Sequence, residues 1–302
     1  MLTVEKQNYR GWPNSWLVSN GEIDLVVTGD IGPRIMRFGF AGGQNFFKEF
    51  DDQLGGSGEE TWQLRGGHRV WIAPEDPVMT YAPDNAPCKI AVRAGKLEVT
   101  GPIEALTGLE KKLIVTMEEG TSVEIVHQIR NAGDKPYALA PWALTMMAQG
   151  GWGIHGFPPR GTHPEVLPPS NPLVMWAFTH LNDPRWTLTR KYLALRQDPA
   201  NSQPQKLGAY NRHTWGGYLL HSELFLKRYE ATADPAAYPD FGCTFEMFTN
   251  ADFLELETLG PMTTLPRGES VSHTERWSAH RPVRIPELTD VVMDRVLGPI
   301  VG

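Results

Sequence analysis

Along most of the chain, apolar and polar residues alternate with a period of two, the signature of strands with one buried face. The alternation predicts strands over residues 22–27, 34–40 and 68–72 near the N-terminus. Gly29-Asp30 and Gly32-Pro33 supply turn chemistry between the first two. Further strands are expected at 88–92, 97–103, 109–117, 122–131 and 137–147, with Glu118-Glu119-Gly120-Thr121 closing one hairpin. Residues 150–172 break the rhythm with Gly, Pro and Trp and predict a long loop. Strand patterns resume at 186–190, 192–195, 214–220, 223–229, 242–248 and 270–277. One stretch has helical spacing: Leu288, Val291, Val292, Arg295 and Val296 fall on one side, with Gly298 as the stop, so a C-terminal helix is expected over 287–298. The pattern predicts an all-β protein of stacked antiparallel sheets with few short helices. No linker composition divides it, so a single domain over 1–302, with its core at about 15–280, is expected.

The stretch Phe253-Leu254-Glu255-Leu256-Glu257-Thr258 stands out among these strands. In extended backbone Phe253, Glu255 and Glu257 point one way while Leu254, Leu256 and Thr258 point the other. Two carboxylates then sit roughly 7 Å apart on one face, close enough for each to disfavour ionisation of the other. Such a pair suits proton transfer; it is equally the acidic, solvent-facing side of an ordinary half-buried strand.

Composition narrows the partners. The 302 residues carry a formal charge of −7, without a dense run of Lys or Arg. Nucleic acid and anionic membranes are therefore not expected as partners, and a small neutral or polar ligand is. Cys88 and Cys243 are too few for a disulfide framework and lack C-x-x-C spacing, which predicts buried thiols. Residues 1–10 are polar and charged where a signal peptide needs an apolar run, and no stretch is apolar for 18 residues. A cytoplasmic location is the resulting expectation.

Familiar motifs are absent or miscarry. Gly151-Trp152-Gly153-Ile154-His155-Gly156 spells G-x-G-x-x-G, yet Phe157-Pro158-Pro159 follows where a dinucleotide-binding helix must start. The nine histidines show no metal-binding spacing, so neither a metal nor another cofactor is expected. What remains is a set of Arg, Trp, His, Lys and Glu residues on short strands. Arg69 and Trp71 share one strand face while His68 and Val70 share the other, and Glu75 follows the strand's end. A guanidinium beside an indole grips a polyhydroxyl ligand through hydrogen bonds and stacking. His213 and Trp215 form a comparable pair, Lys206 precedes them, and Trp142 lies beside Pro141.

Three segments in order resemble the galactose mutarotase-like superfamily. Asn20-Gly21-Glu22-Ile23 through Gly32-Pro33-Arg34-Ile35, with Asn45-Phe46-Phe47, is similar to its N-terminal strands. Arg65-Gly66-Gly67-His68-Arg69-Val70-Trp71 resembles its His-Gly-Gly region. Leu254-Glu255-Leu256-Glu257-Thr258, then Leu265-Pro266-Arg267-Gly268-Glu269 and His273 to Trp277, resembles the C-terminal strand pair of aldose 1-epimerases. The resemblance implies a β-supersandwich whose concave face holds a sugar. It also implies a glutamate that takes the anomeric proton and a histidine that protonates the ring oxygen. Glu257 is the match to that base, with Glu255 one pleat away as the alternative. Where the epimerases carry their acid histidine, this chain has Asn131-Ala132-Gly133 and then Ala140-Pro141-Trp142-Ala143-Leu144-Thr145. Either His68, His155 or His213 substitutes, or ordinary mutarotation is lost.

The sequence thus leads to a carbohydrate-binding and carbohydrate-modifying protein, with Glu257, Glu255 and His68 as catalytic candidates. Arg69, Trp71, Glu75, Trp142, Lys206, His213 and Trp215 are its substrate-binding candidates. The alternatives are a non-catalytic sugar-recognition module and a structural protein that retains the fold. All versions that involve a sugar need the two glutamates to face a common hollow with the indoles and the guanidinium.

Overall fold

The computed structural model describes residues 2–158 and 160–302. Its strands form two antiparallel sheets, one of eleven strands and one of ten. The larger sheet begins with the hairpin Thr3–Tyr9 and Trp12–Ser19, then runs through Ile23–Thr28, Arg34–Phe40 and His68–Ala73. Tyr137–Met147 comes next, followed by Leu254–Leu259, Phe245–Thr249, Gln205–Ala209 and Leu173–Met175. The smaller sheet contains the long strands Leu109–Met117, Ser122–Asn131 and Ser270–His280.

Strict alternation decides which side chains enter the space between the sheets. Along Ser122–Asn131 the buried positions are Val123, Ile125, His127, Ile129 and Asn131, every second residue. They meet Leu254, Leu256, Phe245, Met247, Val70 and Ile72 of the larger sheet in one continuous core. Phe38, Phe47, Phe225 and Trp277 pack edge to face at its centre, with ring centroids 5.6–5.8 Å apart.

A polar network crosses this apolar layer. His68 Nδ1 lies 2.8 Å from Thr145 Oγ1, and His68 Nε2 lies 2.6 Å from His127 Nε2. His127 Nδ1 donates to the His273 carbonyl at 2.8 Å, which leaves its Nε2 as the acceptor for the His68 N–H. Glu275 accepts from Lys227 Nζ at 2.8 Å and from Trp277 Nε1 at 2.7 Å. Ligand atoms of His68, His127 and Glu275 converge within 4.8 Å. The separation of the two imidazole nitrogens is that of a hydrogen bond, and each group already has protein partners, so the triad reads as a satisfied polar core.

Three expectations need correction. Thr3–Tyr9 and Trp12–Ser19 precede the expected first strand. The stretch expected as an unbroken loop contains the strand Trp152–Gly156, which pairs with Tyr192–Arg196 and Trp215–Leu220. Its glycines permit this: a Cβ on Gly153 would sit 2.9 Å from Met247 Sδ, and one on Gly156 3.0 Å from the Trp215 ring. The C-terminal helix spans Asp290–Val301 and runs through Gly298 and Pro299 instead of stopping there. Arg228 Nη2 donates to the carbonyls of Ile300 and Val301, supplying partners that the last turn of a helix lacks. No helix among the described residues is long and apolar enough to cross a membrane.

Candidate functional site

The register of the larger sheet assembles a site from residues far apart in the chain. Leu144 of the central strand pairs with Arg69 on one side and Glu257 on the other, and Glu257 pairs in turn with Glu246. One step along, Trp142 pairs with Trp71. One step the other way, Glu255 pairs with Phe248, which pairs with Lys206. All of these side chains point away from the smaller sheet, because their neighbours in each strand point into the inter-sheet core.

A sharp turn feeds this arrangement. Arg65, Gly66 and Gly67 all adopt positive φ (55°, 92° and 72°) immediately before His68–Ala73. A Cβ on Gly66 would lie 2.0 Å from the Lys48 carbonyl oxygen. Gly66→Ala is therefore expected to cost at least ~2 kcal/mol in urea denaturation, from left-handed strain plus backbone collision. An unchanged midpoint would show that the turn has no such demand.

The outward face of these strands is the floor of a cavity of about 320 Å³. Its floor exposes Arg69, Trp71, Trp142, Lys206 and Glu255, while loops raise Trp62, Tyr81, Trp176 and Phe178 as walls. The Arg69 guanidinium lies 4.1 Å from the Trp71 ring centroid and 4.8 Å from that of Trp62. Lys206 Nζ sits between Trp142 and Trp176 at 4.8 and 4.6 Å. Both cations thus lie against indole faces, and Lys206 is held by carboxylates as well. Gly208 gives Trp176 its room, since a Cβ there would be 3.2 Å from the indole.

Charges on the floor are unevenly paired. Lys206 Nζ lies 2.7 Å from Glu246 Oε2 and 2.9 Å from Glu257 Oε2, and Trp142 Nε1 donates to the same Glu257 oxygen at 2.8 Å. Burial opposes the charge on Lys206, but Glu246 and Glu257 outweigh it and raise the ammonium's pKa. Glu255 has no hydrogen-bonded cation. Burial first, and the neighbouring Glu257 second, push its carboxyl up to about 8, so it holds a proton at neutral pH. Burial also raises Glu246 well above the usual range, against the pull of Lys206. Arg69 donates through Nη1 to the Leu64 carbonyl at 3.2 Å, while its Nε is buried without a partner. Glu257 Oε1 is likewise buried and unpartnered. The floor therefore combines an unspent guanidinium donor, a protonated carboxyl and a clamped carboxylate beneath aromatic walls.

Several sequence expectations meet here and others do not. Glu255, Glu257, Arg69, Trp71, Trp142 and Lys206 share the outward face, and Glu75 stands at the rim, accepting from the Tyr81 hydroxyl at 2.6 Å. Glu257 itself has no exposed surface and lies beneath Lys206 and Trp142. His68 is excluded from the cavity: the pleat turns it into the inter-sheet network, where it is fully buried. His155 is buried against Phe157 and Phe245 and does not replace the missing acid. Trp215 belongs to the other sheet and His213 to the turn just before its strand, and both line a separate cavity. Sequence reasoning missed Glu246, Trp62, Tyr81, Trp176 and Phe178. For Glu246 a signal existed: in Phe245-Glu246-Met247-Phe248 it is a lone charge in an otherwise apolar strand.

Neither a protein-family model nor a curated protein sequence matches the chain. Solved structures do. A galactose mutarotase-like protein from Lactobacillus casei superposes with a TM-score of 0.57 at 10% identity, over 87% of this chain and 99% of that one. A galactose mutarotase related enzyme from Lactobacillus acidophilus gives 0.55 at 10% identity, over 89% and 98%. A TPR-domain containing protein from Parabacteroides distasonis gives 0.59 at 13% identity, over 91% of this chain but 48% of that one. Two large antiparallel sheets in this order, matched over nearly the whole of two such proteins, give this chain the galactose mutarotase-like fold.

Proposed function

We propose that the cavity over Glu255 is a carbohydrate site, and that Glu255 is its proton-transfer group in an aldose 1-epimerase-like isomerisation. The observation that carries this reading is the juxtaposition of aromatic walls with polar groups that line the floor, above all the Arg69 guanidinium and the Glu255 carboxyl. Aromatic faces take the apolar C–H faces of a sugar ring, and convergent donors and acceptors fix its hydroxyls. A buried carboxyl with a pKa near neutrality is suited to give and retrieve a proton. In the reaction envisaged, Glu255 protonates the ring oxygen as the bond from that oxygen to the anomeric carbon breaks. The anomeric hydroxyl becomes the aldehyde carbonyl and loses its proton to water at the cavity mouth. Closure on either face of the carbonyl then returns the proton of the attacking hydroxyl to Glu255, while the carbonyl oxygen regains a proton from water at the cavity mouth.

One observation favours a second reading, recognition without turnover. Glu257, the residue that the family resemblance casts as the base, has no exposed surface and is engaged by Lys206 and Trp142. Exchange between α and β anomers, followed by proton NMR across a panel of aldoses, separates the two. The isomerase reading expects acceleration over buffer that falls roughly 10²-fold or more in Glu255→Gln. Saturable binding with no acceleration leaves recognition alone, and neither binding nor acceleration for any sugar removes both.

A further inference from the structure

A second cavity, about 580 Å³ and larger than the one over Glu255, is on the opposite side from the proposed carbohydrate site. It opens on the outward face of the smaller sheet, beside the C-terminal helix Asp290–Val301. Phe157, Tyr192 and Trp215 supply its apolar surface, and Arg160, Arg190, Lys191 and His213 surround it. The helix packs Met293 and Leu297 against Ile154, Tyr192 and Trp215, which fixes that wall. Gly156 lets the Trp215 indole lie flat over the strand beneath it.

The charge balance of this cavity departs from that of the chain, whose formal charge is −7. Asp294 is its one carboxylate side chain among the described residues, and it is already occupied by Lys191 Nζ and by the Tyr192 hydroxyl at 2.8 Å. Neither Arg160 nor Arg190 forms an ion pair with any described carboxylate within 4.0 Å. The Arg160 guanidinium stacks at 4.5 Å over the Phe157 ring, and Arg190 Nη2 reaches the carbonyls of Arg160 and Gly161 at 3.5 and 3.3 Å. Those carbonyl contacts tie the Arg190 side chain to the backbone at Arg160 and Gly161, so that both arginines line the same cavity, and leave most of their donors free. The negative end of the helix does not neutralise them, because Arg228 already caps the carbonyls of Ile300 and Val301.

We propose that this cavity is a second ligand site, which binds a phosphate ester with its dianion between Arg160 and Arg190 and its organic part against Trp215 and Phe157. Paired guanidinium groups match the oxygens of a phosphate in bidentate geometry, which a lone lysine cannot do. The volume accommodates a phosphate with a ring attached, and the aromatic wall gives that ring a stacking surface. The site is independent of the carbohydrate reading, since it shares no residue with the other cavity.

The test follows the indole N–H resonance of Trp215, assigned by its disappearance in Trp215→Phe, during titration with AMP, glucose 6-phosphate and glycerol 3-phosphate. Adenosine and inorganic phosphate serve as the two halves of one ligand. The proposal expects a saturable shift at Trp215 with at least one ester, no shift at Trp71 or Trp142 with AMP or glycerol 3-phosphate, and binding roughly tenfold weaker in each of Arg160→Gln and Arg190→Gln. Both arginines are exposed, and an unchanged thermal midpoint in each variant separates lost binding from lost structure. Arg190→Lys, which keeps the charge but not the fork, is expected to recover only part of the affinity. Four results overturn it: no shift with any ester up to about 10 mM, adenosine equal to AMP, phosphate alone equal to the best ester, or affinity indifferent to both arginine changes.

Discussion

Lys206→Met is expected to cost the folded protein ~3–5 kcal/mol at neutral pH, because it leaves two buried carboxyl groups without the cation they share. Lys206 Nζ is within 2.9 Å of Glu257 and 2.7 Å of Glu246, and both carboxyls are fully buried. Methionine nearly conserves the volume, so the loss is electrostatic and not a cavity effect. The sign with pH follows from the raised pKa of Lys206. Its stabilisation is fully present below the ordinary lysine range and is lost only as pH rises through the still higher value of the folded state. The deficit of the variant should therefore be present throughout the neutral range. Adding Glu246→Gln and Glu257→Gln to Lys206→Met should recover much of it, since paired removal of buried charges is far cheaper than removal of one partner. Urea denaturation of the single and triple variants measures this. A single-variant loss under about 1 kcal/mol would place the ammonium in effective contact with solvent.

The second large effect is a stability maximum close to pH 6.5. Burial lowers His155 to about 4 and His273 to about 3, and it also lowers His68 and His127. Each stays neutral in the folded state while its unfolded counterpart takes a proton near pH 6.5, so stability falls on acidification with a slope of up to ~1.4 kcal/mol per pH unit per histidine. Glu255 acts with the opposite sign. Its folded pKa of about 8 exceeds the ordinary carboxyl value, so its contribution is fully present below the ordinary value and is lost as pH rises through 8. Glu246 has the same sign. His280 is lowered and Asp240 raised by burial in the same way, so between the ordinary carboxyl range and pH 6.5 five histidines outnumber three carboxyls and stability climbs; above it the carboxyls dominate and stability declines. Denaturation free energies at pH 5, 6.5 and 8 should trace this dome, and Glu255→Gln should flatten its alkaline side. A steady rise to pH 8 that is the same in both proteins contradicts the assignment of a proton to Glu255.

The strands were legible wherever one face is buried and the other is wet. Ser122–Asn131 and Leu109–Met117 read correctly from alternation because burial itself alternates there. The first hairpin was not legible, since Thr3–Tyr9 is half exposed and carries charges on both faces. Trp152–Gly156 was hidden by its glycines, which normally signal a loop and here make room for Met247 and Trp215. Alternation also placed Arg69 and Trp71 opposite His68, as the structure has them. What period cannot reveal is which sheet a strand joins. His213 and Trp215 have the right chemistry for a sugar, yet pairing of Trp215–Leu220 with Glu223–Tyr229 carries them to the other sheet. The loop-borne walls, Trp62, Tyr81 and Trp176, depend on where loops fold back, for which no local pattern exists.

The proposed carbohydrate site places a sugar over Glu255, between the indoles of the larger sheet. Titration with a panel of monosaccharides, read on indole N–H resonances assigned through Trp71→Phe, Trp142→Phe and Trp215→Phe, tests it most directly. Saturable shifts are expected at Trp71 and Trp142 with at least one sugar, and none at Trp215. No shift with any sugar, or a shift at Trp215 alone, contradicts it.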